Sequence, residues 1–95
     1  MDVGFVMYDW DTVKPQLDST LRLVQEAISR GHKVSLIYPN EIAIRRTMVW
    51  ANCRVVHSSK PNAQDNLEFY KSCSLTEELI PLNNHHVIFL GIIHH

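Results

Sequence analysis

The residues with the most evident chemical potential sit in one stretch, "MYDWDTVKPQLDST", residues 7–20. Tyr8, Asp9 and Trp10 follow directly on an apolar run, and Asp18, Ser19 and Thr20 close the stretch before a helical pattern begins. Free backbone N–H groups and the helix dipole suit an anion at such a start. Capping alone explains the same three residues, so capping and capping with ligand contact both stand. Tyr8 and Trp10 likewise either line a cleft or cover the core. The other reactive side chains are less well arranged. His85-His86 and His94-His95 are adjacent pairs, and neighbours on a strand point to opposite faces, which suits no shared metal ion. Cys53 and Cys73 lack a CxxC partner or a histidine at ligand spacing, and read as reduced thiols. Glycines occur only at 4, 31 and 91, so neither GxGxxG nor GxxxxGK[ST] can be built.

Those residues need a scaffold. "VGFVM" (3–7) reads as a strand buried on both faces. Leu17, Leu21, Val24 and Ile28 recur at helical spacing, Asp18 or Ser19 serves as N-cap, and Gly31 follows as a left-handed stop. "KVSLIYP" (33–39) is a second strand, which makes a βαβ unit with parallel strands and a right-handed crossover. Residues 42–56 read as an antiparallel hairpin around Arg45-Arg46-Thr47, without the Asn-Gly or Asp-Gly that would pin the turn. The two arginines there are solvent charges or contacts to another domain, and Trp50 is a packing residue. Residues 65–72 suggest one or two helical turns, and "LTEELIPLNNHH" a short helical or extended connector. "VIFLGII" (87–93) is a final parallel strand lying at or near a sheet edge.

A chain of 95 residues, 45% apolar, suits one domain with one core. Its nine basic and ten acidic side chains are scattered, giving a net charge of −1 and no basic stripe for nucleic acid. No apolar run reaches the ~18 residues of a membrane span, and no signal-peptide pattern opens the chain, so the expected location is cytoplasmic. One helix and a hairpin do not cover a buried parallel strand on both faces. The expectation is a fragment of a larger protein, or a unit completed by a partner.

Several strings, in order, resemble the N-terminal domain of prokaryotic glutathione synthetase, the small α/β domain that precedes an ATP-grasp fold. "VGFVM" with the later "DST" is similar to the family's first strand, loop and helix start, where the loop usually reads Met-Asp-Pro-Ile and then Lys-Asp-Ser/Thr. "LRLVQEAISRGHKVSLIYP" is similar to its helix, turn and second strand. "TMVWANCRVV" resembles its Trp-containing hairpin strand, and "LIPLNNHHVIFLG" its connector and last strand. The resemblance implies a Rossmann-like, pre-ATP-grasp half-domain over residues 1–95, with a small, mainly parallel sheet and the ATP-grasp domains absent.

It also implies a function. The family joins γ-glutamylcysteine to glycine with ATP and magnesium through an acyl phosphate. ATP and magnesium belong to the later domains, so this chain holds neither and is not catalytic alone. Its part is one wall of the substrate cleft, formed by loops at the carboxyl ends of parallel strands. The implied substrate-binding positions are Tyr8, Asp9, Trp10, Asp18, Ser19, Thr20 and Gly91. Three positions of the chain depart from the family pattern: Tyr8 replaces its acid, Leu17 its lysine, and Gly91 the arginine aimed at a substrate carboxylate. A carboxylate held by a bidentate Arg loses charge and geometry where that Arg is Gly. A related ligase with another acceptor, or a non-catalytic copy, fits those changes. The alternative class is a binding or assembly module that self-associates through strand 87–93. "SRGHKV" alone is also compatible with a nucleotide-sugar glycosyltransferase, whose fold the 42–56 hairpin suits poorly.

Overall fold

The computed structural model describes residues 1–90. The chain runs through β1 (Asp2–Val6), α1 (Ser19–Ser29), β2 (Lys33–Ile37), β3 (Ile42–Arg45), β4 (Met48–Ser58), α2 (Asn66–Ser72), β5 (Cys73–Pro81) and β6 (Val87–Leu90). Single 3₁₀ turns occupy Trp10–Thr12, Pro39–Glu41 and Leu82–Asn84. The βαβ reading holds: β1 pairs in parallel with β2, from Asp2 opposite Lys33 to Val6 opposite Ile37. Asp18 caps α1, its Oδ1 accepting from the N–H groups of Thr20 (2.8 Å) and Leu21 (3.2 Å). Leu21 and Val24 carry the buried face. Leu17 does not belong to that face as its spacing suggested. It precedes the cap and is 82% exposed, because the helical period begins only after Asp18.

The sheet is mixed rather than mainly parallel, within the expected Rossmann-like α/β class. β1 is parallel to β2 and β6, whereas β4 is antiparallel to β2, β3 and β5. A strand has only two edges, and β5 lines one edge of β4 from Trp50 to Ser58. β2 and β3 therefore share the other edge, separated by the 3₁₀ turn at 39–41. The predicted hairpin closes at Arg46-Thr47, with Arg45 opposite Met48. Arg46 takes φ +58, a left-handed conformation that costs a non-glycine residue about 1–2 kcal/mol. The segment expected as a helical or extended connector is a full strand over Cys73–Pro81 and a 3₁₀ turn after it.

Strand alternation divides the sheet into two faces. On one, Val3, Phe5, Val34 and Leu36 pack with Leu21 and Val24 of α1 and Phe69 of α2. On the other, Ile37, Ala51, Cys53, Val55 and Ile80 pack with Val6 and Leu82. Neither α-helix of the described residues contributes to that second cluster, and the connector after β5 crosses over it, with Leu82 of its 3₁₀ turn packed there. His85 lies directly above Gly4. A Cβ at Gly4 would stand 2.9 Å from Ile37 Cδ1 and 3.1 Å from His85 Cδ2. The missing side chain is thus what lets the connector descend to the sheet and deliver β6 to β1.

β6 ends the strand order β3-β4-β2-β1-β6, at the edge that its sequence position suggested. Phe89 stacks on Phe5 at 5.2 Å, yet Val87, Ile88, Phe89 and Leu90 remain 37%, 40%, 44% and 78% exposed. Residues 91–93 of the expected strand lie outside the described residues. Among the described residues no helix is long and apolar enough to cross a membrane.

Replacing Gly4 tests the connector's seat. Gly4→Ala should destabilise the chain by about 1–2 kcal/mol, overpacking outweighing the usual gain of Ala over Gly in a strand. Urea unfolding reads this as a lower midpoint; an unchanged or higher midpoint contradicts the close approach.

Candidate functional site

β1 ends at Val6, and the Met7 N–H still bonds the Ile37 carbonyl at 3.1 Å, extending the parallel ladder by one residue. Beyond it the chain enters the long segment before α1. α1 returns along the sheet, so its N-terminus lies at the carboxyl end of β1. The Lys33 N–H bonds the Met1 carbonyl at 3.0 Å at the opposite end. Asp18, Ser19 and Thr20 therefore share one end of the domain with Tyr8, Asp9 and Trp10.

The loop has an internal skeleton. The Thr12 N–H and hydroxyl both bond the Asp9 carbonyl, at 3.0 and 2.7 Å. The Val13 N–H bonds the Trp10 carbonyl at 3.1 Å, and the Leu17 N–H bonds the Lys14 carbonyl at 2.9 Å. Trp10 is 6% exposed, inside the first core cluster. Its ring stacks on Tyr70 with centroids 5.0 Å apart. Its backbone N–H donates to the Tyr38 hydroxyl at 3.0 Å, and its carbonyl accepts from the Tyr70 hydroxyl at 2.7 Å.

The expected site residues consequently separate. Trp10 is the core member of the aromatic pair, while Tyr8 is 56% exposed and Asp9 is exposed beside it. Asp18 is half-buried with one carboxylate oxygen engaged as the cap; Ser19 is exposed and Thr20 half-buried. Gly91 lies outside the described residues. Sequence reasoning missed Tyr38 and Tyr70 as parts of this region. Tyr38 had a usable signal, since it directly follows the second parallel strand and so ends beside the loop after the first. Tyr70 had none, because only packing brings α2 against residue 10.

Behind Tyr38 stands a charged group on the same side of the sheet. The Arg54 guanidinium lies 5.0 Å from the Tyr38 ring centroid and pairs with Glu41 at 2.8 Å. Asn52 donates to Glu41 at 3.1 Å and to Glu77 at 2.8 Å. Hydrogen bonds from Arg54 and then Asn52 lower the Glu41 carboxyl below its ordinary value. Burial raises the Tyr38 phenol, with Asp9 and Asp11 adding in the same direction against the Trp10 bond and Arg54. Burial raises Tyr70 as well, followed by the charge of Asp11. Both phenols therefore keep their protons at neutral pH.

The remaining candidates have structural partners. Burial pushes the thiols of Cys53 and Cys73 up to about 11, which keeps them protonated and poorly nucleophilic. His85 Nδ1 faces the Leu82 carbonyl at 3.0 Å, leaving Nε2 buried without a partner. His86 Nδ1 accepts from the Asp2 N–H at 3.0 Å. His94 and His95 lie outside the described residues. Among the described residues no group of three His, Cys, Asp or Glu side chains is placed to hold a metal ion. Gly4 sits inside β1 and Gly31 at the end of α1, so neither opens a phosphate-cradling loop. Two concavities lie away from the loop. One, of about 60 Å³, is lined by Asp2, Lys33, Ser35, Glu78 and His85 among others; the other, of about 210 Å³, lies between α1 and Pro61-Asn62.

Fold and loop together define a Rossmann-like α/β domain whose first long loop is built at the carboxyl ends of parallel strands, where such sheets receive ligands. The chain belongs to the family described as prokaryotic glutathione synthetase, N-terminal domain, whose model matches residues 1–91. No curated protein matches it.

The Glu41 carboxyl gives a pH test. A carboxyl lowered in the folded state adds stability above its unfolded value and loses it as pH falls through the folded one. Glu41→Gln should therefore be less stable than the parent near neutral pH, with the difference shrinking as pH drops below the ordinary glutamate range. Urea midpoints across pH measure it; a difference independent of pH contradicts the Arg54–Glu41–Asn52 assignment.

Proposed function

We propose that this chain is the substrate-side domain of a glutathione synthetase-like, ATP-dependent carboxylate–amine ligase. The observation that carries the reading is the family match over residues 1–91, joined to a long, internally bonded loop at the carboxyl end of β1. In this reading residues 8–20 form one wall of the substrate cleft. Tyr8 and Asp9 face the ligand, and Asp18, Ser19 and Thr20 present the start of α1. Gly91 is assigned to the same wall by its position in the family pattern. ATP and magnesium are held by the later domains of the ligase, which supply the acyl-phosphate chemistry, so this domain alone does not turn over. The reading places the protein in the cytoplasm.

Tyr8, Leu17 and Gly91 stand where the family pattern has an acid, a lysine and an arginine. The wall therefore grips a substrate carboxylate with fewer charges, and the reading is carried at the level of the ligase class, with an acceptor other than glycine compatible with it. A second reading, self-association as a non-catalytic assembly module, draws support from the exposed apolar strand β6.

One NMR experiment on the 95-residue chain addresses both. γ-Glutamylcysteine and glutathione should shift amides within 8–20, and ATP with magnesium should leave them in place. Loop amides silent to both thiol peptides, or shifts centred elsewhere, would contradict the substrate-wall reading. Line widths independent of concentration accompany the first reading. Concentration-dependent broadening centred on 87–90, with a silent loop, would favour the second.

A further inference from the structure

Among the described residues three aspartates precede helical turns: Asp9, Asp18 and Asp65. Two of them cap in the usual way. Asp18 Oδ1 accepts from Thr20 and Leu21, and Asp65 Oδ1 accepts from the Leu67 N–H at 3.3 Å. Asp9 does not; its side chain takes no bond from the turn at Trp10–Thr12. The turn's first N–H, on Trp10, which a capping Asp9 would not reach, is held from outside: it donates to the hydroxyl of Tyr38 on the neighbouring strand's end. We propose that Tyr38 is the positioning residue of this loop: from the end of the neighbouring strand it holds the buried Trp10 N–H, fixing the turn beside which the exposed Asp9 carboxylate stands unbonded to it.

The two tyrosines at Trp10 are not equivalent. The Trp10 carbonyl accepts from both the Tyr70 hydroxyl (2.7 Å) and the Val13 N–H (3.1 Å), so it stays bonded if Tyr70 loses its oxygen. The Trp10 N–H has the Tyr38 hydroxyl as its partner and sits in a buried setting, where an unpaired donor is costly. Tyr38 is itself held in place. It is 6% exposed, Arg54 stacks on its ring, and Glu41 holds Arg54 at 2.8 Å. The chain of contacts runs from Glu41 through Arg54 and Tyr38 to Trp10, linking the far side of β2 to the loop. The consequence for ligand recognition, a free Asp9 on a fixed loop, rests on the substrate-wall reading; the positioning itself does not.

Residue-resolved amide exchange on the full 95-residue chain separates these roles. In Tyr38→Phe the Trp10 amide should exchange roughly three- to tenfold faster, while amides in the β1–β2 ladder keep their rates. In Tyr70→Phe the Trp10 amide should change less, since Val13 still bonds the carbonyl. An unchanged Trp10 rate in Tyr38→Phe overturns the proposal. So does equal acceleration of the ladder, which marks a general loss of stability, or an effect in Tyr70→Phe as large as that in Tyr38→Phe. Should the unmodified loop ignore γ-glutamylcysteine while Trp10 still responds as stated, the substrate-wall reading fails and the positioning role stands.

Discussion

The indole of Trp10 ties the loop after β1 to the rest of the domain. A loop leaving a buried strand ordinarily follows the surface, exposed to water and free to vary. Here its third residue turns inward and joins the core cluster with Phe5, Leu36 and Phe69. Tyr38 and Tyr70 bond both of its backbone polar groups, so burying the indole strands neither one. Each flanking residue then faces outward as a consequence. Tyr8 and Asp9 lie before the anchor and Asp11 after it, all exposed. The remainder of the loop runs to the Asp18 cap, which starts α1 and with it the packing of Leu21 and Val24.

A second constraint acts at the opposite face. The path from β5 to β6 must cross from the far edge of β4 to the far edge of β1, over β2. It does so within a few residues, with Leu82 in the second cluster and His85 against Gly4. The His86 N–H then bonds the Asp2 carbonyl at 2.8 Å and sets the β1–β6 register. The connector brings β6 beside β1, so that the carboxyl ends of all three parallel strands lie at the loop's end of the sheet.

Much of this was legible from residue types. The βαβ unit, a cap at Asp18 or Ser19, the 42–56 hairpin and the helical turns at 65–72 followed from periodicity and punctuation, and the edge position of the last strand from the lack of elements to cover it. The misses have physical causes. Leu17 matched the helical spacing, but spacing cannot say on which side of a cap a residue falls. β5 was obscured because a half-exposed edge strand carries little alternation, and Thr76, Glu77 and Glu78 interrupt what there is. The sheet is mixed chiefly because β4 runs antiparallel to β2 and β3, to which β5 adds a third antiparallel pairing. In the site, Asp9 and Tyr8 were identifiable by position, whereas the division of labour between Tyr38 and Tyr70 depends on hydrogen bonds across 28 and 60 residues of sequence.

The central claim is that the loop after β1 is a fixed surface, anchored by a buried Trp10, and the most direct test is the environment of that indole. Trp50 is half-buried, and Trp50→Phe leaves Trp10 as the sole tryptophan. The account predicts emission from a buried indole, shielded from iodide in the folded chain and exposed to it only on unfolding. Red-shifted emission quenched freely by iodide under native conditions would contradict it, because the loop would then be a mobile connector with no fixed face to present.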